Sequence, residues 1–376
     1  MTGWESWLLG QAAEREAAGL TRVLRPRGSG DAVVDLAGND YLGLSRHPEV
    51  AAAAARAALE WGAGSGASRL VTGTLTLHDE LERELADFLG QPAALVMSTG
   101  YHANLSVVTA LADRGSLVVS DAHIHASLID AARLSRAEIA VAAHNDVEAV
   151  ASHLDRAAGR RSLVLAESVY SVLGDPAPLV ELAEVCRRYD ALLVVDEAHG
   201  LGVAGTGGHG LVRDLGLAGH EHVVVTATLS KSLGAQGGVV LGSRELVSHL
   251  VNRARPFIFD TALAPAAAAG ALAALRVLSE DPTLPAQVRR RVEQLGRMLA
   301  ADVPAGAVLS VPMPSPGAAL AAQAACLDDG VRVGCFRPPS VPDGISRLRI
   351  TTGGGVADDD WARAIDVLSR VVKEHG

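Results

Sequence analysis

Short apolar runs punctuate the middle of the chain: Ala94–Met97, Leu117–Ser120, Ile139–Ala143, Ser162–Ala166, Leu192–Val195, Val223–Val225 and Val239–Leu241. Their length and their lack of helical spacing predict strands. Leu192–Val195 and Val223–Val225, apolar throughout, read as strands buried on both faces, as in a parallel sheet. Between the runs lie stretches with helical periodicity, such as His78–Leu89. The alternation predicts an α/β fold with a mostly parallel central sheet flanked by helices. Upstream, residues 4–20 predict a helix with Trp7, Leu8, Ala12 and Ala13 on one face, and Val33–Leu36 a short strand. Gly62–Gly73 holds four glycines and predicts no regular structure. Asp146 is placed to cap the helix after it.

Phe257–Ala262 marks the crossing into a smaller α+β domain. There the pattern predicts a helix to Leu278, another over Pro285–Leu299 and a loop-rich strand region over Pro304–Pro316. Strands over Val331–Arg337 and Arg347–Thr351 and a capped terminal helix over Asp358–Val372 complete it. The expected division is an N-terminal segment over 1–45, a large domain over 46–256 and a small one over 257–376. No internal repeat or low-complexity tail interrupts it.

Composition sharpens this picture. Of 376 residues 49% are hydrophobic but only 3% aromatic, so the core must be built from Ala, Val and Leu. The Ala-rich stretches Ala51–Ala58 and Ala262–Ala274 read as helices packed through small side chains. A net charge of −10 argues against non-specific nucleic-acid or anionic-membrane binding. Cys186, Cys326 and Cys335 form no CxxC and imply neither zinc nor a disulfide framework. With no apolar leader pattern near Trp4, Glu5 and Glu14 and no apolar run of membrane length, the expectation is a cytoplasmic protein with reduced thiols. His123 and His125 stand two apart, but no further ligand cluster supports a metal.

The candidate chemistry lies after two of the strands. Leu192–Val195 ends in Asp196, with His199 three residues on; Val223–Val225 breaks into Thr228-Leu229-Ser230-Lys231. Ligands of open α/β sheets sit at the carboxyl ends of strands, so Lys231 is expected near Asp196 and His199. Taken singly, the aspartate could be a helix cap and the lysine a surface residue. Together they suit pyridoxal phosphate (PLP), which is held as a Schiff base on a lysine with its ring nitrogen kept protonated by an aspartate. His199 could hydrogen-bond the ring's phenolic oxygen or Asp196.

Further motifs accompany this pair. They are Asn39-Asp40-Tyr41-Leu42-Gly43-Leu44, Gly64-Ser65-Gly66-Ala67-Ser68-Arg69, His125-Ala126-Ser127-Leu128, Asp196-Glu197-Ala198-His199-Gly200, Ser230-Lys231-Ser232-Leu233-Gly234 and Arg337-Pro338-Pro339-Ser340-Val341-Pro342. In their order and spacing, from about Gly19 to the C-terminus, the chain resembles the α-oxoamine synthases of PLP fold type I. The Arg337–Pro342 run is closer to the biotin-synthesis branch than to the glycine-using branches.

The resemblance implies roles residue by residue. Thr99, Gly100 and Tyr101 match the turn that cradles the cofactor phosphate, and Thr228 a hydroxyl that binds it. Thr261 matches a position that reaches the phosphate held by a partner subunit. His125 is implied to stack on the ring, and Ser171 to lie near its phenolic oxygen. Asn39 and Ser340 match substrate contacts; Ser340 stands where the biotin branch often has threonine. Arg349 matches the arginine that holds the amino-acid carboxylate, with Arg347 two residues away on the same face. The family places another arginine near the N-terminus. Thr21 occupies that position here, which leaves Arg22 or Arg25. The Gly62–Gly73 loop matches a dimer interface beside the site.

The implied reaction is decarboxylative condensation of L-alanine with a pimeloyl thioester, carried by CoA or an acyl carrier protein, in a homodimer with shared sites. Lys231, His125, Asp196 and His199 are its implied catalytic residues. Rival readings are a glycine-using α-oxoamine synthase, a PLP-fold binding protein without catalysis, and an α/β scaffold with no cofactor.

Overall fold

The computed structural model describes residues 2–338, 341 and 343–376. The chain forms two compact units, one ending at Val33 and one starting at Val34. In the first, the helix Gly3–Ala17 starts on a capping box between Thr2 and Glu5. It ends three residues short of the expected Leu20. Gly19 adopts φ +64° and Leu20 N–H donates to Arg15 C=O, which terminates the helix in a Schellman motif. Every residue of this helix is at least partly exposed.

Among the described residues the second unit holds eleven strands: β1 (Val34–Leu36), β2 (Ala93–Met97), β3 (Leu117–Asp121), β4 (Glu138–Ala142), β5 (Ser162–Glu167), β6 (Leu192–Asp196), β7 (Val223–Thr228), β8 (Gly238–Gly242), β9 (Val308–Pro312), β10 (Val331–Phe336) and β11 (Arg347–Thr351). Seven form the large sheet in the order β2-β8-β7-β6-β5-β3-β4. Only β8 runs antiparallel to its neighbours. All seven expected strands are present, with ends shifted by one to three residues. Strands β5 to β8 are buried throughout except Leu192, whereas the edge strand β4 exposes Ile139 and Val141. Helices cover both faces and bury a core rich in Ala, Val and Leu; each fully buried Val or Leu side chain contributes roughly 1.5–3 kcal/mol.

The small sheet, β1-β10-β11-β9, pairs β1 parallel to β10 and so uses both ends of the second unit. It has its own core around Leu36, Leu309, Val333, Leu348, Ile350 and Trp361. The two Ala-rich stretches become the helices Pro48–Trp61 and Pro265–Glu280, each opened by proline at its first turn, and these helices pack on each other. The terminal helix runs further than expected, Asp358–His375, and has no side-chain cap. Asp358, Asp359 and Asp360 in its first turn complement the helix dipole instead. The Gly62–Gly73 segment is irregular until a π-helical turn at Arg69–Gly73. No helix among the described residues is long and apolar enough to cross a membrane.

Candidate active site

The register of the large sheet places its carboxyl-end side chains side by side. Glu167 of β5 stands opposite Asp196 of β6, and Asp196 opposite Thr226 of β7. Above them lies a cavity of about 250 Å³ lined by Thr99, Gly100, Tyr101, Asn104, His125, Ser127, Glu167, Asp196, Ala198, His199, Thr228, Ser230 and Lys231. This is the strand-end crevice expected of an open α/β sheet.

Lys231, one of only two lysines in the chain, brings Nζ to 2.7 Å from His199 Nε2. Burial pushes its pKa down to about 8; Arg349 pushes the same way, while Asp196 and Glu167 oppose. The uncharged form of this amine is therefore a minority at neutral pH, but a far larger one than an ordinary lysine offers. His199 is held well below its ordinary value, first by burial and then by the charges of Lys231 and Arg349. Its Nδ1 lies 2.7 Å from the Tyr41 hydroxyl, which donates to Asn39 Oδ1 at 3.3 Å. Arg349 donates to the same Asn39 oxygen from Nη1 and Nη2, both at 3.3 Å, and from Nε to the Ser171 carbonyl at 2.8 Å. Arg347 points its fork at Asp343 instead, at 2.8 and 2.6 Å.

Asp196 accepts from Asn104 Nδ2 at 2.8 Å and from Ala198 N–H at 2.9 Å. Glu167 is fully enclosed. Burial and the neighbouring Asp196 push its pKa up to about 8, so it is largely protonated at neutral pH. Its Oε2 accepts from Ser171 N–H at 3.1 Å, and its Oε1 has no hydrogen-bond partner among the described residues. Opposite, Thr99 caps the helix Gly100–Leu111, accepting from His102 N–H at 3.1 Å. The first N–H groups of this helix face the cavity rim beside the Thr228 and Ser230 hydroxyls, which lie 2.6 Å apart. A Cβ on Gly100 would lie 2.9 Å from Thr228 Cβ, so glycine lets the helix start approach β7.

These groups fit PLP. The cavity offers an amine for the aldehyde, a carboxylate for the ring nitrogen, an imidazole for a ring face, and hydroxyls with a helix N-terminus for a phosphate. Among the described residues, no group of three or more His, Cys, Asp or Glu side chains is arranged to hold a metal.

Of the residues expected at the site, Thr99, Gly100, Tyr101, His125, Asp196, His199, Thr228 and Lys231 line this cavity. Asn39 and Arg349 join it through Tyr41 and His199, and Ser171 through its backbone. Thr261 is exposed and does not line it. Ala262 N–H donates to Ala67 C=O at 3.0 Å and Ser65 Oγ to Leu263 C=O at 2.7 Å, so Thr261 is tied to the glycine-rich loop. Arg22 lies exposed in the first unit, and Ser340 falls outside the described residues. The site also holds Tyr41 and Ser127, which lie inside the motifs given above, and Asn104, one helical turn after Gly100; none of the three was expected there from the sequence. Sequence reasoning also gave no role to Glu167, which ends its strand as Asp196 does.

Comparison with known proteins bears on the same region. Residues 31–368 match the family model for aminotransferase class I and II. The 8-amino-7-oxononanoate synthase of Mycobacterium sp. (strain KMS) is 55% identical over 98% of this chain and 96% of its own length. That of Mycolicibacterium smegmatis is 52% identical over 98% and 96%. Among solved structures, an SPT with PLP superposes with a TM-score of 0.91 at 30% identity over 98% of both chains. The 8-amino-7-oxononanoate synthase of Francisella tularensis superposes with a TM-score of 0.78 at 25% identity, over 92% of this chain and 99% of that one.

Proposed function

Because the chain belongs to the aminotransferase class I and II family and, within it, to the 8-amino-7-oxononanoate synthases, PLP-dependent acyltransferases of biotin synthesis, we propose that it condenses L-alanine with a pimeloyl thioester. The products are 8-amino-7-oxononanoate, CO2 and the free thiol. PLP, when bound, supplies an electron sink for negative charge at the amino acid's Cα.

The protein's residues supply the rest. Arg349, linked through Asn39 and Tyr41 to His199, offers the fork that holds the alanine carboxylate. Lys231, poised near pKa 8, is the base that takes the Cα proton and the acid that later returns one. The new C–C bond joins Cα to the acyl carbonyl carbon as the C–S bond breaks and the thiolate takes a proton. The alanine carboxyl then leaves as CO2. Asp196, fixed by Asn104 and Ala198, holds its carboxylate where the ring nitrogen requires a counter-charge. The observation that carries this reading is the Lys231 amine 2.7 Å from His199 in a cavity that Asp196 shares.

The active form on this reading is a cytoplasmic homodimer, with Thr261 of each subunit serving its partner's site. Exposed Leu70, Val71 and Phe259 lie on the segments that would meet, and the three unpaired cysteines suit a reducing compartment. The test is product identification by mass spectrometry from PLP-loaded protein with L-alanine and pimeloyl-CoA. Glycine, and L-serine with palmitoyl-CoA, serve as competitors. Alanine with the pimeloyl donor should be turned over fastest; a preference for either alternative overturns the substrate assignment.

A further inference from the structure

Behind His125 and Asp196 runs a hydrogen-bond chain of which the roles above use only the Asn104–Asp196 contact. Thr226 Oγ1 donates to Asn104 Oδ1 at 2.6 Å. Asn104 Nδ2 donates to Asp196 Oδ2 and to Ser127 Oγ, both at 2.8 Å. Ser127 Oγ lies 2.7 Å from His125 Nδ1, and Ser127 N–H donates to the same nitrogen at 3.2 Å. Asn104, Ser127 and Thr226 are all at most 2% exposed, so water does not compete for these contacts.

The direction of every bond follows. Turning the Asn104 amide over would set its oxygen against the Asp196 carboxylate, so Nδ2 must face Asp196 and Ser127. Ser127 Oγ then accepts from Asn104 and has its own proton left to give. The decisive group is Ser127 N–H, which can only donate. A proton on His125 Nδ1 would oppose it, donor against donor. Nδ1 is therefore an acceptor of both the N–H and the Ser127 hydroxyl, and the imidazole proton sits on Nε2. Among the described residues Nε2 has no protein partner, and the ring lines the cavity. Burial and the charge of Lys231 favour the neutral ring, against the opposing pull of Asp196.

We propose that Asn104 and Ser127 are positioning residues that lock His125 in the Nε2–H tautomer, so that it presents a hydrogen-bond donor, and not a base, to the cavity. On the reading of the reaction above, that donor serves a substrate oxygen on which negative charge grows, the acyl carbonyl oxygen being the one that gains it during C–C bond formation. That use rests on the proposed reaction; the tautomer does not, because the network is wholly the protein's own.

The test needs no substrate. Two-bond 1H–15N correlation spectra of the cofactor-free protein, labelled at histidine, report the tautomer of each ring, and His125→Gln assigns the signal. His125 should show a protonated Nε2 and an unprotonated Nδ1 near neutral pH. A protonated Nδ1, or an averaged pair, overturns the proposal even if alanine and pimeloyl-CoA are the substrates. Conversely, failure of those substrates leaves the tautomer result standing. In Ser127→Ala only the longer N–H contact remains. The second tautomer should then become detectable, and turnover of the loaded enzyme should fall about five- to tenfold, the effect of one lost hydrogen bond, with PLP still retained. Ser127→Thr should restore both. A folded Ser127→Ala protein, checked by circular dichroism, with spectrum and turnover unchanged would overturn the role given to the hydroxyl.

Discussion

Arg347 and Arg349 stand two residues apart on β11, on one face, yet their surroundings give them different work. Asp343 satisfies the Arg347 fork, whereas the Arg349 guanidinium meets a carbonyl and a side-chain amide and, among the described residues, has no carboxylate partner. A hydrogen bond to a charged group contributes roughly 1.5–3 kcal/mol. Arg349→Ala should weaken alanine binding about ten- to a hundredfold in a spectroscopic titration, and Arg349→Lys should rescue it only in part. Arg347→Ala should leave alanine binding unchanged and lower unfolding stability by about 1–3 kcal/mol in urea, because Asp343 loses its partner. Equal losses of alanine affinity in both alanine variants would refute this division. The strand and both arginines were legible in the sequence. Which arginine is already neutralised was not, because that depends on how the loop before β11 folds back.

At the scale of elements, the strand ends are pinned to one another by His144, just beyond β4. Its Nδ1 lies 2.9 Å from Asp121 at the end of β3, and its Nε2 2.8 Å from Asp175 in the loop after β5. His123 stacks on it with ring centres 4.0 Å apart, Tyr170 packs edge-on, and Asn145 N–H donates to Asp121 at 2.7 Å. Asp121 leads into the turn that carries His125, and the β5 loop carries Ser171. Burial disfavours a charged His144, but the hydrogen bonds to Asp121 and Asp175 outweigh it and raise its pKa to about 9. The folded state therefore binds this proton more tightly than the unfolded chain does. The stability gained is fully present below the unfolded value, about 6.5, and is lost as pH rises through about 9. Thermal unfolding of wild type and His144→Gln should differ most near pH 6 and converge near pH 10. A difference independent of pH would mean that His144 acts by packing alone. The histidines at 123, 125 and 144 are visible in the sequence, but the sequence does not tell which is charged, which neutral and which faces a cofactor. Depth and neighbouring carboxylates decide that.

At the scale of the whole molecule, the glycine-rich loop and Thr261 become one surface, held by Ser65, Ala67, Ala262 and Leu263. His78 strengthens the tie, its Nε2 lying 2.8 Å from Leu263 C=O. Gly73 has no room for a side chain, since a Cβ there would lie 2.1 Å from Ala67 C=O. The exposed apolar residues on this surface predict a dimer in light scattering. Val71→Asp with Phe259→Asp should yield monomers with unchanged circular dichroism and little activity. A fully active monomer would refute the shared site.

The sequence by itself determined the alternation of strands and helices, the seven-strand core and the Asp196–Lys231 pair. Apolar periodicity, strand-end position and turn residues are local, and a single chain displays them. It also carried the motifs that place the chain in its family. What only the tertiary structure decided is how side chains distant along the chain share protons and charge. Asn104 meets Asp196, Thr226 meets Asn104, Tyr41 meets His199, and Asn39 meets Arg349. Those pairings depend on register between strands and on loop closure. A hydrogen bond needs its partners within about 3 Å, a requirement that sequence spacing cannot express for residues a hundred positions apart.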